Sequence, residues 1–259
     1  MADKNYPTYI PKCVLITGAT GGFGQAFAKR FVDAGCKLIL HGRNAEKLDA
    51  LAAQFDVPVY KLLFDIKDKE ATIRAIEEIP DDFKDIDVLI NNAGGALGLD
   101  KAHEALIEDW EDMIEMNNTS LVRITRLILP GMVKRKSGHV INIGSVAGNY
   151  VYPGANVYGA VKAFVKQFSL NIRADLVGTN VRVTNIEPGI VATPFSLARF
   201  KGDKEKADAV YANTTPLVAE DVAESVFWAA TLPEHVNINR LELMPTKQTH
   251  GPLIVERDG

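Results

Sequence analysis

Short continuous apolar runs alternate along this chain with longer segments whose apolar residues recur at helical spacing. Residues 13–16 form the first run, which breaks at Thr17-Gly18-Ala19-Thr20-Gly21-Gly22-Phe23-Gly24. A helical stretch follows to Ala34, and Gly35 is placed to stop it, since glycine enters the left-handed conformation that ends helices. Residues 37–40, 59–64 and 88–90 read as further strands, with helices at 45–54 and 68–78. Asn91-Asn92-Ala93-Gly94-Gly95 stops the fourth strand. Residues 110–133 are long and helical despite Pro130, which lacks an N–H and is expected to kink or shorten the helix. Strand, helix and strand continue at 139–143, 156–176 and 181–186, and a last helix and strand at 219–230 and 241–244. Strands that are apolar throughout suit a parallel sheet covered on both faces. No repeat, linker or compositional break divides the chain. The prediction is α/β: a single doubly wound Rossmann-type domain over residues 1–259, with a mostly parallel sheet of about seven strands.

Composition narrows the function. The chain is 47% hydrophobic with a formal charge of −4, so it can bury a sizeable core and shows no basic footprint for nucleic acid. Lys134-Arg135-Lys136 reads instead as a helix C-terminus favoured by the macrodipole, with Gly138 just beyond it. Cys13 and Cys36 border strands and suit buried free thiols better than a disulfide. Residues 1–12 are polar and Pro-broken, unlike a signal peptide, and no apolar run is long enough for a membrane span. A cytoplasmic protein without nucleic-acid or membrane partners is expected. The five histidines are scattered, and no ligand spacing suggests a metal.

Three motifs carry chemistry. Tyr158 and Lys162 are four apart in a helical stretch and share a face. A phenol with a pKa near 10 is a poor acid or base at neutral pH, and a neighbouring ammonium favours its phenolate. Ser145 ends a strand upstream. The glycine-rich turn after the first strand lets backbone approach a pyrophosphate, and the next helix offers it unpaired N–H groups. Its spacing, Gly18, Gly22 and Gly24, departs from the common Gly-x-Gly-x-x-Gly.

Together the glycine turn, Asn91-Asn-Ala-Gly94, Ser145, Tyr158-x-x-x-Lys162 and Pro188-Gly189 resemble the short-chain dehydrogenases/reductases, in order and spacing, from about Lys12 to Met244. Within that family the chain looks most like bacterial NADP-dependent 3-hydroxy acid dehydrogenases acting on serine and allo-threonine. That likeness rests on Asn91-Asn-Ala-Gly-Gly-Ala-Leu-Gly98, Ile186-Glu-Pro-Gly189, Phe195-Ser-Leu-Ala-Arg-Phe-Lys-Gly202 and Leu241-Glu-Leu-Met-Pro245. The resemblance implies NADP(H) bound by Gly18, Thr20, Gly22, Phe23, Gly24, Arg43, Asn44, Asp65, Ile66, Asn91, Asn92, Tyr158, Lys162, Pro188, Gly189, Val191 and Thr193. Gly42 stands where similar NAD enzymes carry an acid, and Arg43 beside it suits a 2′-phosphate. Asp65 is expected near the adenine, and Asn91 or Asn92 near its ribose. Tyr158 is the implied proton donor and acceptor, Ser145 its partner at the reacting oxygen, and Lys162 the ribose ligand. Asn117 is implied to hold a water chain to Lys162, although Asn118 is adjacent.

The substrate is expected to be a small molecule, and an anionic one. Residues 193–212 follow the sixth strand and read as a polar lid, with Arg199 as a bidentate anchor for a carboxylate or sulfonate. Tyr152 is expected in the same pocket. The family usually forms tetramers, so the tail at 245–259, with apolar Leu253-Ile254-Val255, is expected at a subunit interface, bringing Gln248 toward a neighbour's site. A reductase of small aldehydes, including sulfonated ones such as sulfoacetaldehyde, shares every catalytic residue. A non-catalytic NADP-sensing protein usually lacks the Tyr/Lys pair present here.

Overall fold

Cys13 and Leu15 pack on one side of a sheet while Val14 and Ile16 pack on the other, and the same division recurs from strand to strand. The computed structural model describes residues 8–250. Its strands are β1 (Cys13–Ile16), β2 (Lys37–Gly42), β3 (Val59–Leu63), β4 (Val88–Asn91), β5 (Gly138–Ile143), β6 (Val181–Pro188), β7 (Val191–Ala192), β8 (Leu217–Val218) and β9 (Arg240–Leu243). Seven of them form one sheet in the order β3-β2-β1-β4-β5-β6-β9, each neighbouring pair parallel. The two-residue strands β7 and β8 pair with each other. From β1 the chain winds outward to β3 and then returns to the other side of β1 at β4, which opens a crevice at the C-terminal ends of β1 and β4.

The helices are α1 (Gly22–Val32), α2 (Ala45–Ala52), α3 (Lys69–Glu77), α4 (Asp81–Lys84), α5 (Ile107–Ile114), α6 (Ser120–Arg135), α7 (Asn156–Asp175), α8 (Phe195–Arg199), α9 (Lys204–Ala209) and α10 (Ala219–Thr231). Phe27 and Phe31 of α1 and Val222 and Val226 of α10 bury one face of the sheet against Val14, Ile16, Leu38 and Leu40. Ile124, Ile128 and Met132 of α6 cover the other, against Leu15, Ile39, Leu89 and Val140. Both faces are therefore dry, which is why the strands read as unbroken apolar runs. Cys13 and Cys36 are both buried free thiols. Among the described residues no helix is long and apolar enough to cross a membrane.

Three local expectations change. The helix expected at 110–133 begins at Ile107, and Pro130 does not shorten it, since α6 runs on to Arg135. Its departure from α geometry lies at Glu115–Thr119, a π-helical turn that accommodates an extra residue. Lys136, in the left-handed conformation at φ 54°, ends α6 rather than Gly138. Gly138 instead opens β5, because a Cβ there would lie 2.5 Å from Met132 Cγ. Within 193–212 the chain is ordered into α8 and α9, with Ser196 buried and hydrogen-bonded to the Tyr211 hydroxyl at 2.6 Å.

One charge lies deep in the sheet. Glu187 of β6 is 1% exposed. Arg240 of β9 donates to both its oxygens at 2.8 and 2.7 Å, and Asn149 and Asn185 each donate at 2.6 Å. Burial alone pushes its carboxyl up, but these donors outweigh it and hold the group below the ordinary carboxylate range.

Candidate active site

The turn after β1 is built from backbone. Gly18 sits at φ 63°, Gly21 N–H donates to Gly18 O at 3.1 Å, and a Cβ on Gly24 would run into Gly18 O. Side chains are excluded where the strand folds back onto its helix. Gly21 gives α1 no side-chain cap, and its first turn holds no acidic residue, so its N–H groups are open to an anion. A Cβ on Gly22 would lie 3.1 Å from Thr193 Cβ, so the segment after β7 lies against the turn. Thr17 Oγ1 accepts from Asn92 N and Ala93 N at 2.9 Å, and Asn92 Nδ2 donates to Thr17 O and Gly18 O. These bonds join the ends of β1 and β4. Arg43 and Asn44 are exposed just past β2, and among the described residues Arg43 has no ion pair. Asp65 is exposed past β3, and Ile66 beside it is buried.

These residues fit a phosphorylated dinucleotide: an open cradle at Gly18 to Gly24, an unpaired guanidinium at Arg43 and an exposed shelf at Asp65. Several of the expected cofactor ligands also hold the fold. Asn44 Oδ1 caps α2 through Lys47 N at 2.8 Å. Asn91 Nδ2 donates to Thr125 Oγ1 and Asn142 Oδ1, inside the structure. The Phe23 ring stacks toward Phe27, 6.0 Å away, so its side chain serves the core. Val191 is buried in β7, Pro188 closes β6, and a Cβ on Gly42 would lie 3.4 Å from Thr20 Cγ2.

At the end of β5 Ser145 caps a short 3-10 turn (Val146–Gly148), its Oγ accepting from Ala147 N at 3.1 Å. Tyr158 and Lys162 face it from α7, where both are buried. The Tyr158 ring packs among Ala96, Met113, Ala147 and Val161, and its centroid is 5.9 Å from that of Phe195. Burial pushes its phenol up to about 12, while the Ser145 hydroxyl and the Arg199 guanidinium act the other way. Lys162 lies one turn further along α7. Its Nζ donates to Ile143 O at 2.9 Å and lies 5.9 Å from the Tyr158 ring centroid, and burial pulls its own pKa down to about 8. Lys162 Nζ thus stays mostly protonated at neutral pH, 5.9 Å from the ring it is expected to act on.

Asn117 sits in the π turn and is 1% exposed. Its amide donates to Gly95 O and Met113 O and accepts from Gly95 N at 3.2 Å. A Cβ on Gly94 would lie 2.5 Å from Asn117 Oδ1 and 3.8 Å from Lys162 Nζ, so the two side chains meet at one glycine. The adjacent Asn118 keeps its buried Oδ1 unpartnered among the described residues.

Arg199 of α8 leans over this group. Its Cζ is 5.3 Å from the Tyr158 ring centroid. Nε donates to Gly98 O at 3.0 Å, and Nη1 and Nη2 donate to the Tyr152 hydroxyl at 3.3 and 3.4 Å. Gly98 N–H returns a bond to Arg199 O at 3.0 Å. Arg199, Tyr152 and Tyr158 thus converge as the sequence suggests, while the contact with Gly98 carried no sequence signal. Gln248 Oε1 accepts from Ile190 N of its own chain at 2.7 Å, packed on Gly189. Residues 251–259, with Leu253 to Val255, lie outside the described residues.

Comparison with known proteins agrees with this geometry. The family model for short chain dehydrogenases matches residues 12–204. The NADP-dependent 3-hydroxy acid dehydrogenase YdfG of Salmonella typhi is 55% identical over 245 residues, covering 94% of this chain and 99% of that protein. The serine 3-dehydrogenase of Agrobacterium fabrum is 49% identical, covering 95% and 98%. Among solved structures, the closed form of serine dehydrogenase complexed with NADP+ superposes with a TM-score of 0.93 at 52% identity, covering 95% of this chain and all of that one.

Proposed function

This chain belongs to the short-chain dehydrogenase family, and from that premise we propose that it interconverts a small 3-hydroxy acid, of the serine, allo-threonine or 3-hydroxypropionate type, and its carbonyl form with NADP(H). The observation that carries the acid is the Arg199 guanidinium, two of whose nitrogens face the Tyr152 hydroxyl beside the Tyr158 ring. A cation at that distance suits an anionic group beyond the reacting carbon.

Bound at this site, NADP(H) would supply or accept the hydride. Tyr158 gives its proton to the developing alkoxide during reduction and takes the hydroxyl proton during oxidation. Ser145 donates to the same oxygen and holds it against Tyr158. Lys162, whose Nζ meets Ile143 O, has two further N–H donors for the nicotinamide ribose. Asn117 steadies the Gly95 strip beside Lys162 and leads water to it. Arg43 takes the 2′-phosphate in charge-assisted bonds. Residues 193–212 serve as the lid, fastened through Arg199 and Gly98.

A homotetramer and a cytoplasmic location accompany this reading. Leu106, Ile107, Ile114 and Phe164 are exposed apolar side chains on or beside α5 and α7 and supply a face for a second copy. Buried free thiols suit a reducing compartment. Steady-state rates with NADP(H) and NAD(H), over a panel of 3-hydroxy acids, sulfoacetaldehyde and neutral aldehydes, test the whole reading. Equal efficiency on charged and neutral substrates would overturn the acid assignment.

A further inference from the structure

The second strand carries a buried imidazole that no step above uses. His41 is 3% exposed at the end of β2, directly before Gly42 and Arg43. Gly18 N–H donates to its Nδ1 at 3.1 Å, and Ala19 N–H donates to its backbone oxygen at 2.8 Å. On the far side of the ring, Nε2 lies 3.2 Å from Phe64 O, and the ring centroids of His41 and Phe64 are 4.3 Å apart. Because Nδ1 accepts, the ring proton belongs on Nε2, which donates to Phe64 O. The Gly18 contact needs the neutral ring, since a protonated ring would donate at Nδ1 as well, and burial keeps it neutral by lowering its pKa to about 4.

Gly18 is the left-handed residue of the anion cradle, and Phe64 directly precedes Asp65 and Ile66. We infer that His41 is a positioning residue for the dinucleotide: its imidazole ties the pyrophosphate turn to the end of β3 and so sets the spacing between phosphate cradle and adenine shelf. The inference rests on the NADP(H) reading above. A residue that merely filled the core would not need its two nitrogens divided between the two subsites.

Two variants separate these roles. His41→Asn keeps an acceptor where Nδ1 stands and loses the reach to Phe64 O. His41→Gln keeps a donor near Nε2 and loses the acceptor for Gly18. Each leaves one buried polar group short of a partner, so both lower the melting temperature of the cofactor-free protein by similar amounts. NADPH affinity, read by fluorescence titration of full-length protein, falls roughly tenfold in each variant, because cutting the tie at either end frees the cradle from the shelf. Affinity within about threefold of wild type in either variant, with the melting temperature lowered, overturns the inference while leaving the cofactor reading intact, since a group that only fills the core moves stability alone. Failure of the wild-type protein to bind NADPH overturns both. Should neither variant fold, the ring 15N shifts of His41 in the wild-type protein decide: the Nε2–H tautomer is required, and the Nδ1–H tautomer refutes it.

Discussion

Replacing Lys162 by Met should make the cofactor-free protein more stable while removing its activity. Burial takes the lysine from its ordinary 10.5 to about 8. At neutral pH the folded state thus holds this proton between two and three decades more weakly than the unfolded chain, a penalty of about 3 kcal/mol. Methionine fills similar volume without a charge, but Ile143 O then loses its donor, at a cost of about 1 kcal/mol. The net gain is on the order of 1–2 kcal/mol, or roughly 2–8 °C in Tm for a chain of this length. The sign fixes the pH dependence. The unfolded chain binds more protons between about 8 and 10.5, so the wild-type protein recovers stability as pH rises through that window. Calorimetry of both proteins from pH 6.5 to 9.5 should show the largest gap near neutrality and a narrowing above pH 8. A variant that melts no higher at pH 7, or a gap indifferent to pH, would refute burial as the cause of the depressed lysine.

Tyr158→Phe keeps the buried ring but removes the proton, so turnover should fall by orders of magnitude while NADPH affinity, read by titration, hardly moves. Arg43→Ala should weaken NADP binding by about one to two decades, the ~1.5–3 kcal/mol of a charge-assisted phosphate contact, and leave NAD binding unchanged. Loss of both alike would point to damage of the β2 end. Arg199→Ala should raise the Michaelis constant for 3-hydroxy acids and spare that for a neutral alcohol of similar size. Equal effects on the two would assign Arg199 to the Gly98 contact alone.

The sheet was legible because dry strands and amphipathic helices leave different periods in the chain, and the strands from Cys13 to Pro188 lie within two residues of their expected ends. The site was legible where chemistry fixes residue type: Ser145 sits at the Tyr158 hydroxyl, and Lys162 Nζ lies 5.9 Å from the Tyr158 ring centroid. What escaped depends on distance across the fold. The π turn that aims Asn117 is a matter of backbone bonding that Glu115-Met116-Asn117-Asn118-Thr119 does not announce. His41 could have been noticed as a polar residue closing an apolar strand, but its partners are 23 residues away in each direction.

The pairing of Glu187 with Arg240 sets an order of events during synthesis. The carboxylate is laid into β6, yet its main counter-charge arrives 53 residues later on the last strand of the sheet. Ribosomes add about 5–20 residues per second, so the nascent chain spends roughly 3–10 s with that carboxylate lacking its guanidinium. During that interval closing the C-terminal side of the sheet would bury a carboxylate held only by the Asn149 and Asn185 amides. The domain therefore has a built-in reason to stay open until its final strand emerges, and a chain released early would be marked by an acid in the wrong place.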